Sequence, residues 1–132
     1  MSETNQLLSC GRSNQFKVKD LEAFKAAVQP FDVTIVEDEG DDHTVSILAN
    51  ARSGISFTKD QQHILELLVE HLTDDSVAIL MQIGYRADSL ELVGNAVAAN
   101  NKGQIRQIDL NYIYRMAQDL LDDTSEVTAC AD

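Results

Sequence analysis

The sequence predicts an α+β fold, a largely antiparallel sheet with helices packed on one face, in the order β-α-β-β-(β)-α-β-β-β-α. Three observations lead there. Short stretches of period-two alternation (Phe16, Val18; Val33, Ile35; Val45, Ile47) are interleaved with stretches whose apolar residues recur every three or four positions. The helical stretches are separated by runs of two or three strands rather than by single ones, which favours hairpins over parallel crossovers. A chain of 132 residues with 44% apolar content is long enough to bury one core without disulfides or metals. Aromatics make up only 5% and Trp is absent, so that core is aliphatic. The expected organisation is a mobile N-terminus over 1–13, a single domain over 14–121 and an acidic polar tail over 122–132.

The first strand is read at Asn14–Lys19, where Phe16 and Val18 alternate with Gln15, Lys17 and Lys19. Asp20 stands where an N-cap belongs, and Leu21, Phe24, Val28 and Phe31 form one stripe of the helix behind it. Pro30 ends that helix, because it pushes the preceding residue out of the α region. A hairpin follows, with Val33 and Ile35 on one arm, Val45 and Ile47 on the other and a turn at Gly40. Asn50–Gly54 reads as a further turn leading to a short strand at Ile55–Phe57. Thr58-Lys-Asp-Gln61 has the form of a capping box for a helix running to about Leu72, whose inner stripe is Ile64, Leu65, Leu68, Val69 and Leu72.

Ser76–Tyr85 is the most apolar strand, and its unbroken first half predicts a central strand covered on both faces. Leu90–Ala99 is the next, with Gly94 marking a bulge or a close backbone approach. Asn100–Gly103 turns into a strand at Gln104–Ile108. Asp109 is expected to cap a last helix, with Leu110, Ile113, Tyr114, Ala117, Leu120 and Leu121 turned inward.

Charge constrains function more than any motif does. Ten basic residues stand against twenty-two acidic ones, a formal net charge of -12. Such a field repels nucleic-acid phosphates and acidic membrane surfaces and attracts basic ones. Direct nucleic-acid binding is therefore not expected, although Arg12, Lys17, Lys19 and Lys25 make the N-terminal quarter locally basic. Salt adaptation and plain solubility are the bland explanations of the same acidity. Val77–Met81 is too short to span a bilayer, and residues 1–15 lack the form of a signal peptide, so a cytoplasmic protein is expected. Cys10 and Cys130 are read either as two free thiols or as a bridge between termini or between chains.

The acids crowd most densely at Glu37, Asp38, Glu39, Asp41 and Asp42, five carboxylates in six residues. A solvated hairpin tip, a docking point for a basic partner and a calcium site are the alternatives. The spacing does not fit an EF-hand loop. Asp74 and Asp75 add to the acidic surface. Further acids at Asp109, Asp119, Asp122, Asp123 and Glu126 could make a surface that mimics a nucleic acid. His63, Glu66 and Glu70, with His71 nearby, have helical spacing suited to a metal, but no facing second set accompanies them. No Gly-x-Ser-x-Gly elbow is present, and Gly84, Gly94 and Gly103 are too far apart to cradle a phosphate. No catalytic residue, cofactor or metal is therefore assigned.

Ser13-Asn-Gln-Phe-Lys-Val-Lys-Asp20 with Ala23-Phe24 resembles the opening of a family of small acidic bacterial proteins without an assigned activity, often met on plasmids and other mobile elements. Val77–Met81 with Gly84, Leu92–Ala98, Asn100, Lys102-Gly103 and Ile113-Tyr114 resemble its second half. The resemblance covers roughly residues 13–121 and carries no functional residue. It implies a setting in which small acidic proteins block a host defence or nucleic-acid-handling protein.

The expectation is a non-enzymatic protein that presents Glu37, Asp38, Glu39, Asp41, Asp42, Asp74 and Asp75 to a basic, nucleic-acid-handling partner and inhibits it. The alternative is a structural or regulatory module that binds through an apolar strand edge or helix face, as a monomer or a homodimer. An exposed apolar patch would distinguish the second from the first.

Overall fold

The computed structural model describes residues 7–50, 57–59, 62–86, 88–89, 91–121, 126 and 128. Nine strands and three helices follow one another along these residues: β1 (Leu7–Ser13), β2 (Phe16–Lys17), α1 (Leu21–Val28), β3 (Val33–Asp38), β4 (Asp41–Ala49), β5 (Thr58–Lys59), β6 (Gln62–His63), α2 (Ile64–His71), β7 (Val77–Arg86), β8 (Glu91–Asn100), β9 (Ile105–Asp109) and α3 (Tyr112–Gln118). Seven strands form one sheet, and β5 and β6 form a separate small hairpin. Every pairing is antiparallel. The α+β class is therefore as the sequence predicts, while the element order differs: it gains a strand at its start, and two short strands, β5 and β6, precede α2 where one was expected.

That added strand corrects the reading of residues 1–13. Leu7–Ser13 pairs along β7 from Leu7–Arg86 to Ser13–Leu80 and lies inside the sheet. The alternation is hard to see because the buried side of β1 is made of Ser9 and Ser13 rather than large apolar residues. After Ser13 the chain steps across from β7 towards β4, and β2 pairs with β4 at Phe16–Val45 and Lys17–Thr44. Ser13 Oγ accepts from the Ile47 amide at 2.8 Å, so its hydroxyl is satisfied where the strands part. Val18 continues the crossing, its amide donating to the His43 carbonyl at 2.9 Å.

One face of the sheet holds the core. Phe16, Val18, Val45, Ile47, Ala78, Leu80 and Ala99 meet Phe24 and Val28 of α1 and Ile64, Leu65 and Leu68 of α2, all of them buried. Asp20 caps α1 as expected, accepting from the Ala23 amide at 3.2 Å. Helix α2 starts later than the Thr58–Gln61 box predicts. Thr58 pairs with His63 in the small hairpin, and Phe57, buried at φ 65°, turns the chain so that its carbonyl accepts from Ile64 N at 2.8 Å. His63 is the N-cap instead. Residues 51–56, which hold most of the expected short strand at Ile55–Phe57, lie outside the described residues.

Two expectations about the second half are overturned. Among the described residues, strand β7 is covered on one face only: Ala78, Leu80 and Gln82 are buried, while Val77, Met81, Ile83 and Tyr85 are exposed. No residue of α3 is fully buried: of the stripe expected to turn inward, Leu110, Ile113, Leu120 and Leu121 are exposed and only Tyr114 and Ala117 are half-buried. Asp109 does accept from the Tyr112 amide at 3.2 Å, although α3 begins two residues further on. Gly94 causes no register shift between β7 and β8. It marks a close approach, since a Cβ there would stand 3.0 Å from Leu110 Cγ.

Candidate interaction surface

The exposed residues of β7 share a face because side chains alternate along a strand, and directly paired residues of antiparallel strands point the same way. Met81 pairs with Ala96 and with Arg12, Ile83 with Gly94 and with Cys10, and Tyr85 with Leu92 and with Leu8. Ala96 in turn pairs with Ile108. Leu110 lies against Gly94 in the same layer. The result is a continuous apolar surface across β1, β7, β8 and β9, on the side of the sheet away from α1 and α2. No described element covers it.

Ile83 is 61% exposed, Met81 56%, Leu92 67%, Ile108 60% and Leu110 50%. Large side chains exposed to this degree, with Val77, Tyr85 and their partly exposed neighbours, sum to on the order of 800 Å² of apolar surface. Isolated monomers leave contiguous apolar patches of only a few hundred Å². A shallow hollow of about 510 Å³ lies in the middle, lined by Leu8, Cys10, Ile83, Tyr85, Leu92 and Leu110. Cys10 is a free, half-buried thiol within it, and Cys130 lies outside the described residues.

A second cavity, of about 870 Å³, opens between α2, β8, β9 and α3. Several of its polar groups are already engaged. His63 Nδ1 accepts from the Leu65 amide at 3.1 Å, which caps α2. Burial pushes the His63 imidazole below its ordinary pKa of 6.5, against the opposing pull of Glu66. Asp109 receives the Tyr112 amide, and the Arg115 guanidinium stands 5.6 Å from the centre of the Tyr112 ring. His63 therefore belongs to the helix start and not to a solvent-facing set with Glu66 and Glu70. Among the described residues, no three His, Cys, Asp or Glu side chains converge to hold a metal.

The acidic residues singled out in the sequence separate into two groups. Glu37 leaves the hairpin tip and pairs with Lys25 of α1 at 2.9 Å, which raises the lysine pKa. Asp38, Glu39, Asp41 and Asp42 stay at the tip. Asp41 is held below the ordinary carboxylate range by the His43 amide and the Thr44 hydroxyl, with a contribution from Lys17. Asp75 is lowered first by the Thr73 hydroxyl and its own backbone amide, and again by Lys17. Lys17 thus sits within electrostatic reach of both loops. Asp74 binds the Asn101 side-chain amide in the β8–β9 turn. Asp38–Asp42, Asp74 and Asp75 therefore share one end of the sheet, mixed with lysine.

Hydrophobic run length concealed the open face, whereas parity reveals it. Positions 77, 79, 81, 83 and 85 are all large and apolar, and Ala78 and Leu80 between them are apolar too. Only the second set meets α1 and α2. Among the described residues no helix is long and apolar enough to cross a membrane. No protein-family model matches the chain, and neither a curated protein nor a solved structure is similar to it.

Proposed function

We propose that this chain is a non-enzymatic interaction module that binds protein through the uncovered apolar face of its sheet. The carrying observation is the face itself. Met81, Ile83, Leu92, Ile108 and Leu110 are each at least half exposed on one continuous surface. Leaving such a surface in water forgoes about 25 cal/mol per Å², and binding recovers part of that. The engaged polar groups of the larger cavity support a structural rather than a catalytic role for it. This reading takes up the alternative drawn from the sequence, and it suits a small acidic protein of the cytoplasm.

A second reading keeps the acidic end. Asp38, Glu39, Asp41, Asp42, Asp74 and Asp75 gather around one edge and would attract a basic partner, including a nucleic-acid-handling protein that the chain inhibits. Such an inhibitor would suit the setting on plasmids and other mobile elements that the sequence resemblance implies.

Two variants separate the readings. Ile83→Lys with Leu92→Lys charges the open face, and Asp38→Asn with Asp41→Asn and Asp42→Asn neutralises the tip. Ile83, Leu92, Asp38 and Asp42 are exposed, and Asn at the half-buried position 41 keeps an acceptor for the His43 amide, so both variants are expected to fold. Each is compared with the unmodified chain for proteins retained on immobilised protein, and each retained partner is then titrated in purified form. Loss of binding in the face variant alone supports the apolar reading. Loss in the tip variant alone, with affinity falling steeply as salt rises, transfers the function to the acids.

A further inference from the structure

The open face has a chemistry that narrows its occupant. Seen along β1, β7, β8 and β9, the described side chains on this side include no carboxylate. Register places Arg12 beside Met81 and Arg106 beside Ala98, and these are the charged residues of that surface. Among the described residues, the acids of this strongly acidic chain stand off the large apolar surface on which no described element is packed. A face meant for a cationic partner would carry acids among or around its apolar residues. A face meant for an equally acidic partner must exclude them, because every carboxylate brought into the contact would add to the repulsion between two strongly negative molecules.

We propose that the occupant is a second copy of this chain, packed sheet to sheet about a two-fold axis. The inference rests on the reading of this face as a docking surface and adds the identity of the partner. Area agrees with it: on the order of 800 Å² is one partner's share of a stable interface of standard size. Composition agrees as well, since homodimer interfaces are more apolar and poorer in acids than transient ones. The contact is isologous, so the row formed by Met81, Ile83 and Tyr85 meets its own symmetry mate. Two twisted sheets stack in this way about 10 Å apart, their inner side chains interdigitating. Arg12 and Arg106 then face a neighbour of net charge -12, where guanidinium groups are favoured.

Sedimentation of the purified full-length chain tests this over a range of concentrations and salt. The expected result is a species of twice the 14.6 kDa chain mass whose dissociation constant falls as salt is raised from about 0.05 to about 0.5 M, because screening removes the repulsion between copies. Ile83→Lys is expected to weaken the dimer at least about tenfold while leaving the circular dichroism spectrum unchanged. A chain that stays monomeric at about 100 μM in both salts overturns the second-copy proposal. If Ile83→Lys with Leu92→Lys also abolishes binding of another purified protein by that monomer, the docking reading stands without it. A dimer that loosens with salt and ignores Ile83→Lys overturns both, because association then runs through charge. Met81→Lys, at a second exposed site on the same row, guards against an effect peculiar to position 83.

Discussion

Asn14 and Ile79 satisfy each other at the point where two strands part. The Asn14 amide donates to the Ile79 carbonyl at 3.1 Å, and Asn14 Oδ1 accepts from the Ile79 amide at 2.8 Å. Asn14 Nδ2 also donates to the Val77 carbonyl at 3.0 Å. A side chain thus stands in for the strand backbone that has turned away towards β4, and the first residues of β7 keep their partners. The open face depends on this junction, because β7 is its central strand.

Replacing Asn14 by Ala removes both side-chain bonds and leaves the Ile79 amide without its acceptor. The expected cost is about 1–3 kcal/mol of unfolding free energy in urea. Asn14→Asp keeps an acceptor for Ile79 but loses the donor to Val77, so an intermediate loss is expected. Faster amide exchange confined to Ile79 and its neighbours would locate the effect.

Gly84 pairs with Ser9 where β1 runs close against β7. A Cβ there would stand 2.8 Å from the Leu8 carbonyl oxygen and 3.1 Å from Ser9 Cβ. The first of these is backbone and cannot swing aside, so Gly84→Ala must push β1 away from β7. A destabilisation of about 1–3 kcal/mol is expected, read as a lower urea midpoint. Unchanged stability would mean that β1 is held more loosely than the seven-residue register suggests.

The His63 cap makes the start of α2 sensitive to acid. Its Nδ1 must be unprotonated to accept from Leu65, and burial already favours the neutral ring. The folded protein therefore takes up this proton at lower pH than the unfolded chain does. Stability is complete above the ordinary value of 6.5 and is lost as pH falls below it. The melting temperature is expected to drop between about pH 7 and pH 5. His63→Asn keeps a capping acceptor that does not titrate, and it should flatten that slope. An equal slope in both proteins would assign the acid sensitivity elsewhere.

Leu110 fixes the entry of the chain into α3 by resting on Gly94. Gly94→Val is expected to displace Leu110 and free α3, because the added methyl groups occupy its seat. Little core stability is at stake, since no residue of α3 is fully buried. The readout is faster proteolytic cleavage after Asp109 with the urea midpoint lowered by less than about 1 kcal/mol equivalent. Gly94→Ala should show the same change more weakly, as Leu110 is half exposed and can yield.

Local chemistry made several parts legible without coordinates. The Asp20 cap and Pro30 bound α1, the 64–72 stripe marks the buried side of α2, and Asn100–Gly103 turns with Gly103 at φ 80°. Each depends on residues adjacent in the chain. The strand at Leu7–Ser13 escaped because its buried positions are Ser9 and Ser13 rather than apolar residues, and Ser13 is satisfied by a distant amide, that of Ile47. The start of α2 escaped because a buried Phe57 at positive φ overrides the Thr58 capping signal.

From residue order alone come the α+β class, the strand and helix types and the surplus of negative charge, since period and composition are properties of neighbours along a chain. Which apolar faces are covered is decided only when elements pack. Alternation states that Met81, Ile83 and Tyr85 share a side. Only the packing of α1 and α2 on the other side, with no described element on this one, leaves that side open.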